Sequence, residues 1–186
     1  MQVDCSSGWL SGVSICASPH YGPRPAGSVP SLIVLHGISL PAGEFGGPYI
    51  NALFTNTLDT QTDPRFTYLA GLRVSAHVLI DRQGAVTQFV AFTDRAWHAG
   101  QSWFDGQPDC NDYSIGVELE GSDHHPYTDA QYQCVQALIP ALRAAYPAIA
   151  ADRVVGHCHI APGRKTDPGP FFDWPRLAAG TGITLP

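Results

Sequence analysis

The chain has 186 residues, of which 44% are hydrophobic and 14% charged, and its formal net charge is -6. This composition can build a hydrophobic core, which excludes global disorder, and the acidic balance excludes the broad basic surface that binds nucleic acid or an anionic membrane. No apolar run reaches the roughly 18 residues of a membrane span, and the N-terminal residues MQVDCSSGWLSG lack the basic and apolar regions of a secretory signal, so we expect a cytoplasmic protein.

No internal repeat or shift in composition divides the sequence, so we expect a single domain that spans residues 1–186. Its first predicted strand is SLIVLH at residues 31–36, a nearly continuous apolar run typical of strands that are buried on both faces. We expect this strand to end at His36. Residues 77–80 and 85–90 flank a four-residue turn that ends in glycine, and together they predict a β-hairpin.

Two further strands are predicted in the second half of the chain. SIGVELE at residues 114–120 alternates strictly, so that its branched apolar side chains share one face while Glu118 and Glu120 share the other. RVVGH at residues 153–157 predicts another buried strand, which also ends in a histidine, His157.

A long helix is predicted between these two strands. Thr128 is its expected N-cap, and Gln131 completes a capping box ahead of a helical pattern of apolar residues that runs to Leu142. Pro140 lies inside this pattern and removes one backbone hydrogen bond, so we expect a kink or a break near residue 139.

A short last helix is predicted to begin after Asp173, whose carboxylate can cap it, and to run through Leu177. Strands that alternate with helices indicate an α/β fold. We therefore expect a central mixed β-sheet flanked by helices.

The candidate chemistry lies where two predicted strands end. His36 and His157 terminate these strands, and the loop after His157 carries Asp167. A catalytic zinc site needs three nitrogen or oxygen ligands with a fourth position left open, and these three residues satisfy that requirement. A histidine at a strand end is more often a hydrogen-bonded structural residue, so the spacing alone leaves both interpretations open.

Longer motifs carry a more specific resemblance. They are LHGISLPAGEFGGPYI, GLRVSAHVLIDRQGAVTQFV, RAWHAG, CNDYSIGVELEG, YTDAQY and GHCHIAPGRKTDPGP. Through these motifs, between Ser18 and Trp174 and in the same order throughout, the chain closely resembles the cytoplasmic 1,6-anhydro-N-acetylmuramyl-L-alanine amidases of the AmpD type, within the superfamily of zinc amidases and peptidoglycan recognition proteins. Residues 1–17 and the last dozen lie outside the resemblance. The resemblance implies the zinc amidase fold of that superfamily.

The resemblance implies roles for five residues. His36, His157 and Asp167 match the zinc (Zn2+) ligands of the family, Glu118 its active-site carboxylate and Lys165 its active-site lysine. Zinc can polarise a scissile carbonyl and activate water near neutral pH. Glu118 could then move a proton from the water to the leaving amine, and Lys165, the only lysine in the chain, could stabilise a developing oxyanion.

The resemblance also implies the substrate. Enzymes of this type cut the amide between 1,6-anhydro-N-acetylmuramic acid and L-alanine in small muropeptides recycled from the cell wall. Arg73 and Arg164 match family positions that contact substrate, and their charge suits the carboxylates of a muropeptide. Trp97 and His98 are expected to line the cleft. We expect a monomer that binds neither nucleic acid nor membrane.

Two positions depart from the pattern of the family. Gly37 stands where the family has an asparagine that helps to hold substrate, HGISLP against HNISLP, which leaves selectivity for the anhydro sugar open. His159 replaces the aspartate of GHCDIAP. On a continuing strand, His159 would share a side with His157, and we expect it to form a supporting hydrogen bond and not to bind zinc.

Other functions fit parts of the sequence. Glu118 and Glu120 would lie about 6.6–6.8 Å apart, the separation of an inverting glycosidase, although parallel side chains cannot easily straddle a sugar bond. A non-catalytic, zinc-containing peptidoglycan sensor would share the fold, as would an amidase that acts on intact murein. Cys158 could act as a nucleophile with a neighbouring histidine. If His157 binds zinc on an alternating strand, however, Cys158 points to the opposite face and is a buried thiol.

Overall fold

A computed structural model describes residues 1–186. Its α-helices are Tyr49–Phe54 (α1), Asp129–Ala145 (α2), His157–Ile160 (α3) and Trp174–Thr181 (α4), and short 3-10 helices lie at Pro64–Leu69 and Cys110–Asp112. Its strands are Val3–Asp4 (β1), Trp9–Leu10 (β2), Ser14–Ile15 (β3), Tyr21–Gly22 (β4), Leu32–Ile38 (β5), Val78–Ile80 (β6), Val86–Gln88 (β7), Arg95–Ala96 (β8), Trp103–Phe104 (β9), Gln107–Pro108 (β10), Ser114–Glu120 (β11) and Val154–Gly156 (β12).

Six strands form one mixed sheet in the order β12-β5-β11-β6-β7-β3. Strands β5 and β11 lie next to each other and are parallel, with all seven residues of each strand in register. The register pairs Glu118 with His36 and Glu120 with Ile38. Two candidate functional residues from distant parts of the sequence are therefore adjacent at the same end of the sheet.

The two faces of the sheet have different neighbours. Ile33 and Leu35 of β5 pack in one hydrophobic cluster with the apolar side chains of helix α2, and we call this side the helix face. Leu32 and Val34 belong to a separate cluster on the opposite side, which we call the site face. Because successive side chains of a strand point to opposite faces, His36 lies on the site face.

Several local predictions are confirmed. The expected α/β fold with a central mixed sheet is present, and β6 pairs antiparallel with β7 as the predicted hairpin. Thr128 and Gln131 form the capping box at the start of α2. The carboxylate of Asp173 accepts a hydrogen bond from the Arg176 amide at the start of α4, which continues beyond the predicted end to Thr181.

Two predicted strand ends are wrong. Strand β5 does not end at His36, because its pairing with β11 continues to Ile38. Strand β12 ends at Gly156, and His157 is instead the first residue of α3. The chain turns there because the Gly156 amide donates to Nδ1 of His159, at 2.9 Å, and is no longer available to continue a strand.

The predicted break near residue 139 is also wrong, because α2 is one helix from Asp129 to Ala145. Pro140 lies on its exposed side, whereas Leu138, Ile139 and Leu142 are fully buried. Apolar packing on both sides of the proline outweighs the single hydrogen bond that it removes.

Residues 1–17, which lie outside the motifs identified in the sequence, are built into the fold. Strand β3 pairs with β7 at the edge of the main sheet, and Leu10 is part of the core on the helix face. The Gln88 side chain accepts from the Leu10 amide and donates to the Gly8 carbonyl, which ties this segment to the sheet. No helix in the structure has the length and apolar character needed to cross a lipid bilayer.

Candidate metal centre and active-site cleft

Three side chains meet at the end of the sheet. His36 comes from β5, His157 opens α3, and Asp167 lies in the loop that follows α3. Nδ1 of His36 lies 3.0 Å from Nδ1 of His157, and Oδ2 of Asp167 lies 3.1 Å and 3.0 Å from these two nitrogens. The predicted set of metal ligands is therefore assembled in space, in a nearly equilateral triangle.

The chemistry of this triangle suits a metal cation. Nε2 of His157 lies 3.0 Å from the carbonyl oxygen of Ala99, which can only accept, so in the neutral ring Nε2 carries the proton and Nδ1 presents a lone pair. Lone pairs on closely spaced nitrogen and carboxylate atoms repel one another unless a cation lies among them. The sides of the triangle are also close to the separation of about 3.3 Å expected between ligands of tetrahedral zinc.

Burial keeps His36 in the form that can bind a metal. Removal from solvent lowers the pKa of His36 to about 4, and the nearby Asp167 carboxylate only partly opposes this effect. Burial alone would raise the pKa of Asp167, but its close contacts with His157 and His36 hold it well below its ordinary range. At neutral pH the Asp167 carboxylate is therefore ionised and the His36 ring is neutral.

Glu118 is positioned beside this triangle with one oxygen uncommitted. It is only 8% exposed, and Oε2 is buried without a hydrogen-bond partner. Burial, reinforced by the negative charge of Asp167, raises the pKa of Glu118 well above its ordinary range, and Lys165 opposes the shift. A carboxylate with a raised pKa and a free oxygen is suited to accept and release a proton.

A cleft of about 240 Å³ opens over these residues. Lys165 is exposed and lies at its edge, and the Trp97 ring is stacked on His20 with ring centroids 5.7 Å apart. The cleft brings together seven residues of the predicted site: His36, Trp97, His98, Glu118, His157, Lys165 and Asp167.

The two predicted arginine contacts lie outside the lining of the cleft. Arg73 is exposed, although its neighbours Leu72 and Val74 both line the cleft. The guanidinium group of Arg164 donates to the carbonyl oxygens of Ala99 and Gln101, at 2.7 Å and 2.6 Å. The part of either arginine in substrate binding stays a prediction.

The surroundings of Glu120 and Cys158 do not suit the alternative catalytic roles, a glycosidase carboxylate for Glu120 and a nucleophile for Cys158. The Glu120 carboxylate accepts from the amides of Gly46 and Arg82, so it supports a loop and does not face Glu118 across a substrate. Cys158 lies on α3 and not on a strand, so the argument from strand alternation does not apply. Burial raises the pKa of its thiol, which keeps it protonated and weakly nucleophilic.

His159 does not lie beside the metal ligands on a strand, as the sequence suggested. It is on helix α3, where Nδ1 accepts from the Gly156 amide and the ring packs 5.5 Å from the ring of Trp174. Its supporting role is therefore to cap the helix that begins with His157.

Sequence reasoning missed three supporting residues. Oδ1 of Asn111 accepts from the amides of His98 and Ala99, and the Ala99 carbonyl faces His157. The Tyr127 hydroxyl donates to the Pro168 carbonyl at 2.8 Å, and it fills the space that a side chain at Gly37 would occupy. Ala99, Asn111 and Tyr127 all lie within the quoted motifs. Their contacts involve backbone atoms, however, and the residue types in a sequence do not predict such contacts.

Comparison with known proteins gives a consistent result. The model of the N-acetylmuramoyl-L-alanine amidase family matches residues 26–170. The 1,6-anhydro-N-acetylmuramyl-L-alanine amidase AmpD of Salmonella typhimurium (strain SL1344) is 59% identical over 172 residues, which cover 92% of this chain and 91% of the relative. AmpD of Escherichia coli (strain K12) is 58% identical over 170 residues, 91% of this chain and 92% of the relative.

Solved structures agree with these sequence matches. A crystal structure of a selenomethionine derivative of AmpD superposes with a TM-score of 0.93 at 55% identity, and covers 99% of this chain and 100% of that one. The E. coli amidase AmiD, in complex with the substrate anhydro-N-acetylmuramic acid-L-Ala-D-gamma-Glu-L-Lys, gives a TM-score of 0.61 at 29% identity, over 86% of this chain and 61% of that one.

Proposed function

Since the chain belongs to the N-acetylmuramoyl-L-alanine amidase family, it is an amidase, and we propose that it works with a zinc ion held by His36, His157 and Asp167. It cleaves the amide bond between 1,6-anhydro-N-acetylmuramic acid and the L-alanine of the stem peptide, the reaction named for relatives that share more than half of its residues. The proposal extends this reaction to cytoplasmic recycling of small muropeptides.

One observation carries the zinc assignment. Two imidazole nitrogens and one carboxylate oxygen lie 3.0–3.1 Å from one another at the floor of a cleft. When bound there, zinc would act as a Lewis acid, which polarises a carbonyl oxygen and makes water a nucleophile at neutral pH.

The remaining chemistry belongs to two side chains of the protein. The Glu118 carboxylate, in the lining of the cleft, accepts a proton from the attacking water and delivers it to the nitrogen of the leaving L-alanine. Its raised pKa suits it to both steps, because the carboxyl group can hold the proton between them. The ammonium group of Lys165, at the edge of the cleft, stabilises the negative charge that develops on the carbonyl oxygen.

The proposed ligand is a small muropeptide. Its sugar would meet the apolar part of the cleft, which includes Trp97 and Leu72, and its carboxylates would meet the positive charge of Lys165, with Arg73 and Arg164 as outlying contacts. We propose that the catalytic unit is the single domain of residues 1–186 and that it acts as a monomer, without a nucleic-acid or membrane partner.

The sensor alternative is less well supported. A non-catalytic sensor needs neither a complete set of ligands nor a buried carboxylate with a free oxygen, and this chain has both. An amidase that acts on intact murein would use the same residues, so only the choice of substrate separates it from the proposal.

The decisive experiment compares two substrates. The purified protein is incubated with an anhydro-muropeptide and with intact murein, before and after a chelator and again after added zinc, and the products are identified by mass spectrometry. We expect free peptide from the anhydro fragment, loss of activity with chelator and recovery with zinc. His36→Ala should be inactive throughout. Equal rates on both substrates would overturn the recycling role, and activity that resists the chelator would overturn the zinc assignment.

A further inference from the structure

Residues 98–99 contact both candidate histidine ligands on the ring nitrogens that face away from the metal triangle. The nitrogen of His36 that faces away from the metal triangle, Nε2, lies 2.9 Å from Nδ1 of His98. The corresponding nitrogen of His157 lies 3.0 Å from the carbonyl oxygen of Ala99. Two consecutive residues therefore contact two ligands that are separated by more than a hundred positions in the sequence.

The contact with His36 is compatible with a proton on Nε2 of His36. His98 continues the chain of hydrogen bonds, because its Nε2 lies 3.1 Å from Oγ of Ser114. If Nε2 of His98 donates to this hydroxyl, Nδ1 of His98 is an acceptor, and it must receive the proton carried on Nε2 of His36. Nδ1 of His36 is then left with the lone pair that a metal requires.

The contact with His157 gives the same result by a simpler route. A carbonyl oxygen has no proton, so the hydrogen bond to Ala99 places the proton of His157 on Nε2 and leaves Nδ1 free. The Ala99 carbonyl also accepts from the guanidinium group of Arg164 at 2.7 Å.

One side chain accepts from both backbone amides of this segment. Oδ1 of Asn111 accepts from the His98 amide at 3.0 Å and from the Ala99 amide at 2.8 Å. Asn111 is itself buried in a short 3-10 helix, and its carbonyl accepts from Arg24. The backbone amides of both contacting residues thus share one acceptor, the Asn111 side-chain oxygen.

We propose that Asn111 is a positioning residue, which fixes His98 and Ala99 so that both histidine ligands present Nδ1 to the metal. This inference rests on the proposed zinc site. His98 is the positioning residue for His36 within the same arrangement, in addition to its place in the lining of the cleft.

Two substitutions of Asn111 separate positioning from general destabilisation. Asn111→Ala removes both hydrogen bonds, whereas Asn111→Asp keeps an acceptor oxygen at the same place. We expect Asn111→Ala to weaken zinc binding by about 10- to 100-fold, as measured by competition with a chromophoric chelator, and Asn111→Asp to recover most of the loss. Gln88→Ala is the matched control, since it removes a buried hydrogen-bonding side chain that does not line the cleft and should leave zinc affinity unchanged.

A second pair of variants tests the contact with His36. His98→Gln can still accept a hydrogen bond from His36, and His98→Ala cannot. In the cobalt-substituted protein we expect the visible absorption bands to shift for His98→Ala and Asn111→Ala, and to stay near those of the wild type for His98→Gln. Circular dichroism confirms that each variant is folded before the metal is added.

The outcomes distinguish this inference from the zinc assignment on which it depends. Wild-type zinc affinity and an unchanged cobalt spectrum in folded Asn111→Ala would overturn the positioning role and leave the metal site intact. If the wild type binds zinc no more tightly than His36→Ala does, the zinc site itself is wrong.

Discussion

The imidazole ring of His98 lies directly against the backbone of Gly116. A Cβ atom at Gly116 would come within 2.6 Å of Cδ2 of His98, and closer still to Cγ. Gly116 and Glu118 are on the same face of β11, since side chains two residues apart on a strand share a face. One strand therefore provides both the candidate proton carrier and the space for the ring that contacts His36.

Gly116→Ala should consequently destabilise the protein and weaken metal binding together. An added methyl group must displace the His98 ring or the strand, and overpacking of this kind costs about 1–3 kcal/mol. The free energy of unfolding of the metal-free protein, from urea denaturation, and the zinc dissociation constant measure the two effects. Gly22→Ala is the control, because a Cβ atom there meets open space. Equal free energies of unfolding and equal zinc dissociation constants for the two variants would show that the His98 ring does not need this space.

Glu118 should reduce the stability of the metal-free protein at neutral pH. Its folded-state pKa is raised by burial, so below the ordinary value of 4.5 the carboxyl group is protonated in both states and no penalty exists. As the pH rises above 4.5, only the unfolded state releases the proton easily, and the free energy of unfolding falls.

Glu118→Gln removes this titration. We expect the variant to be more stable than the wild type at pH 7, by about 1–3 kcal/mol, and the difference to vanish near pH 4, while amidase activity is lost. Urea denaturation of the metal-free proteins at both pH values measures the effect. Glu44→Gln, at an exposed position, should give no such gain. A variant less stable than the wild type at pH 7 would contradict a buried, poorly solvated carboxylate.

Lys165 should affect the rate of reaction and not the metal. It lies in the cleft but is not one of the three ligands, so Lys165→Ala should bind zinc normally. Loss of a group that stabilises an oxyanion typically lowers kcat by about 10²- to 10³-fold, and we expect a decrease of this size. Lys165→Arg keeps the positive charge, so its kcat should decrease less. The comparison of kcat with zinc content decides the matter, because a proportional loss of both would place Lys165 in metal binding instead.

The extent to which the sequence predicts the fold depends on where the determining contacts lie. The strand at β11 is predicted correctly because its alternation is local, and the capping box of Thr128 and Gln131 is predicted because the two residues are three apart. The end of β12 is predicted wrongly, since it depends on the His159 side chain, which turns back to the Gly156 amide. Local periodicity contains no information about such a contact.

In the candidate site, too, the sequence predicts some features and not those that depend on tertiary contacts. The ligand set follows from residue types in recognisable motifs, and the three side chains do converge. The surroundings do not follow, because Ala99 acts through a carbonyl oxygen and Asn111 through backbone amides on another loop. The hydrogen bonds of Arg164 do not follow either, because its guanidinium group donates to carbonyl oxygens that only the tertiary fold brings within reach.

The Glu120 carboxylate anchors the loop at residues 41–48. Oε1 accepts from the Gly46 amide at 2.6 Å and Oε2 from the Arg82 amide at 3.2 Å, and the Phe45 ring packs under the Arg82 guanidinium group with 4.8 Å between the guanidinium carbon and the ring centroid. Loss of the carboxylate should release the loop without changing the chemistry of the cleft.

Glu120→Ala should therefore increase hydrogen exchange at residues 41–48 and lower the free energy of unfolding by about 1–3 kcal/mol, because two backbone amides lose their acceptor. Glu120→Gln keeps one acceptor oxygen and should show a smaller increase in exchange. Both variants should bind zinc as the wild type does, and neither should lose amide hydrolysis completely, in contrast to Glu118→Gln. Hydrogen exchange followed by mass spectrometry measures the loop, and mass spectrometry of the products measures cleavage. Complete loss of activity in Glu120→Gln, with hydrogen exchange in the loop unchanged, would contradict the anchoring role. It would instead support the hypothesis that Glu118 and Glu120 are a catalytic pair.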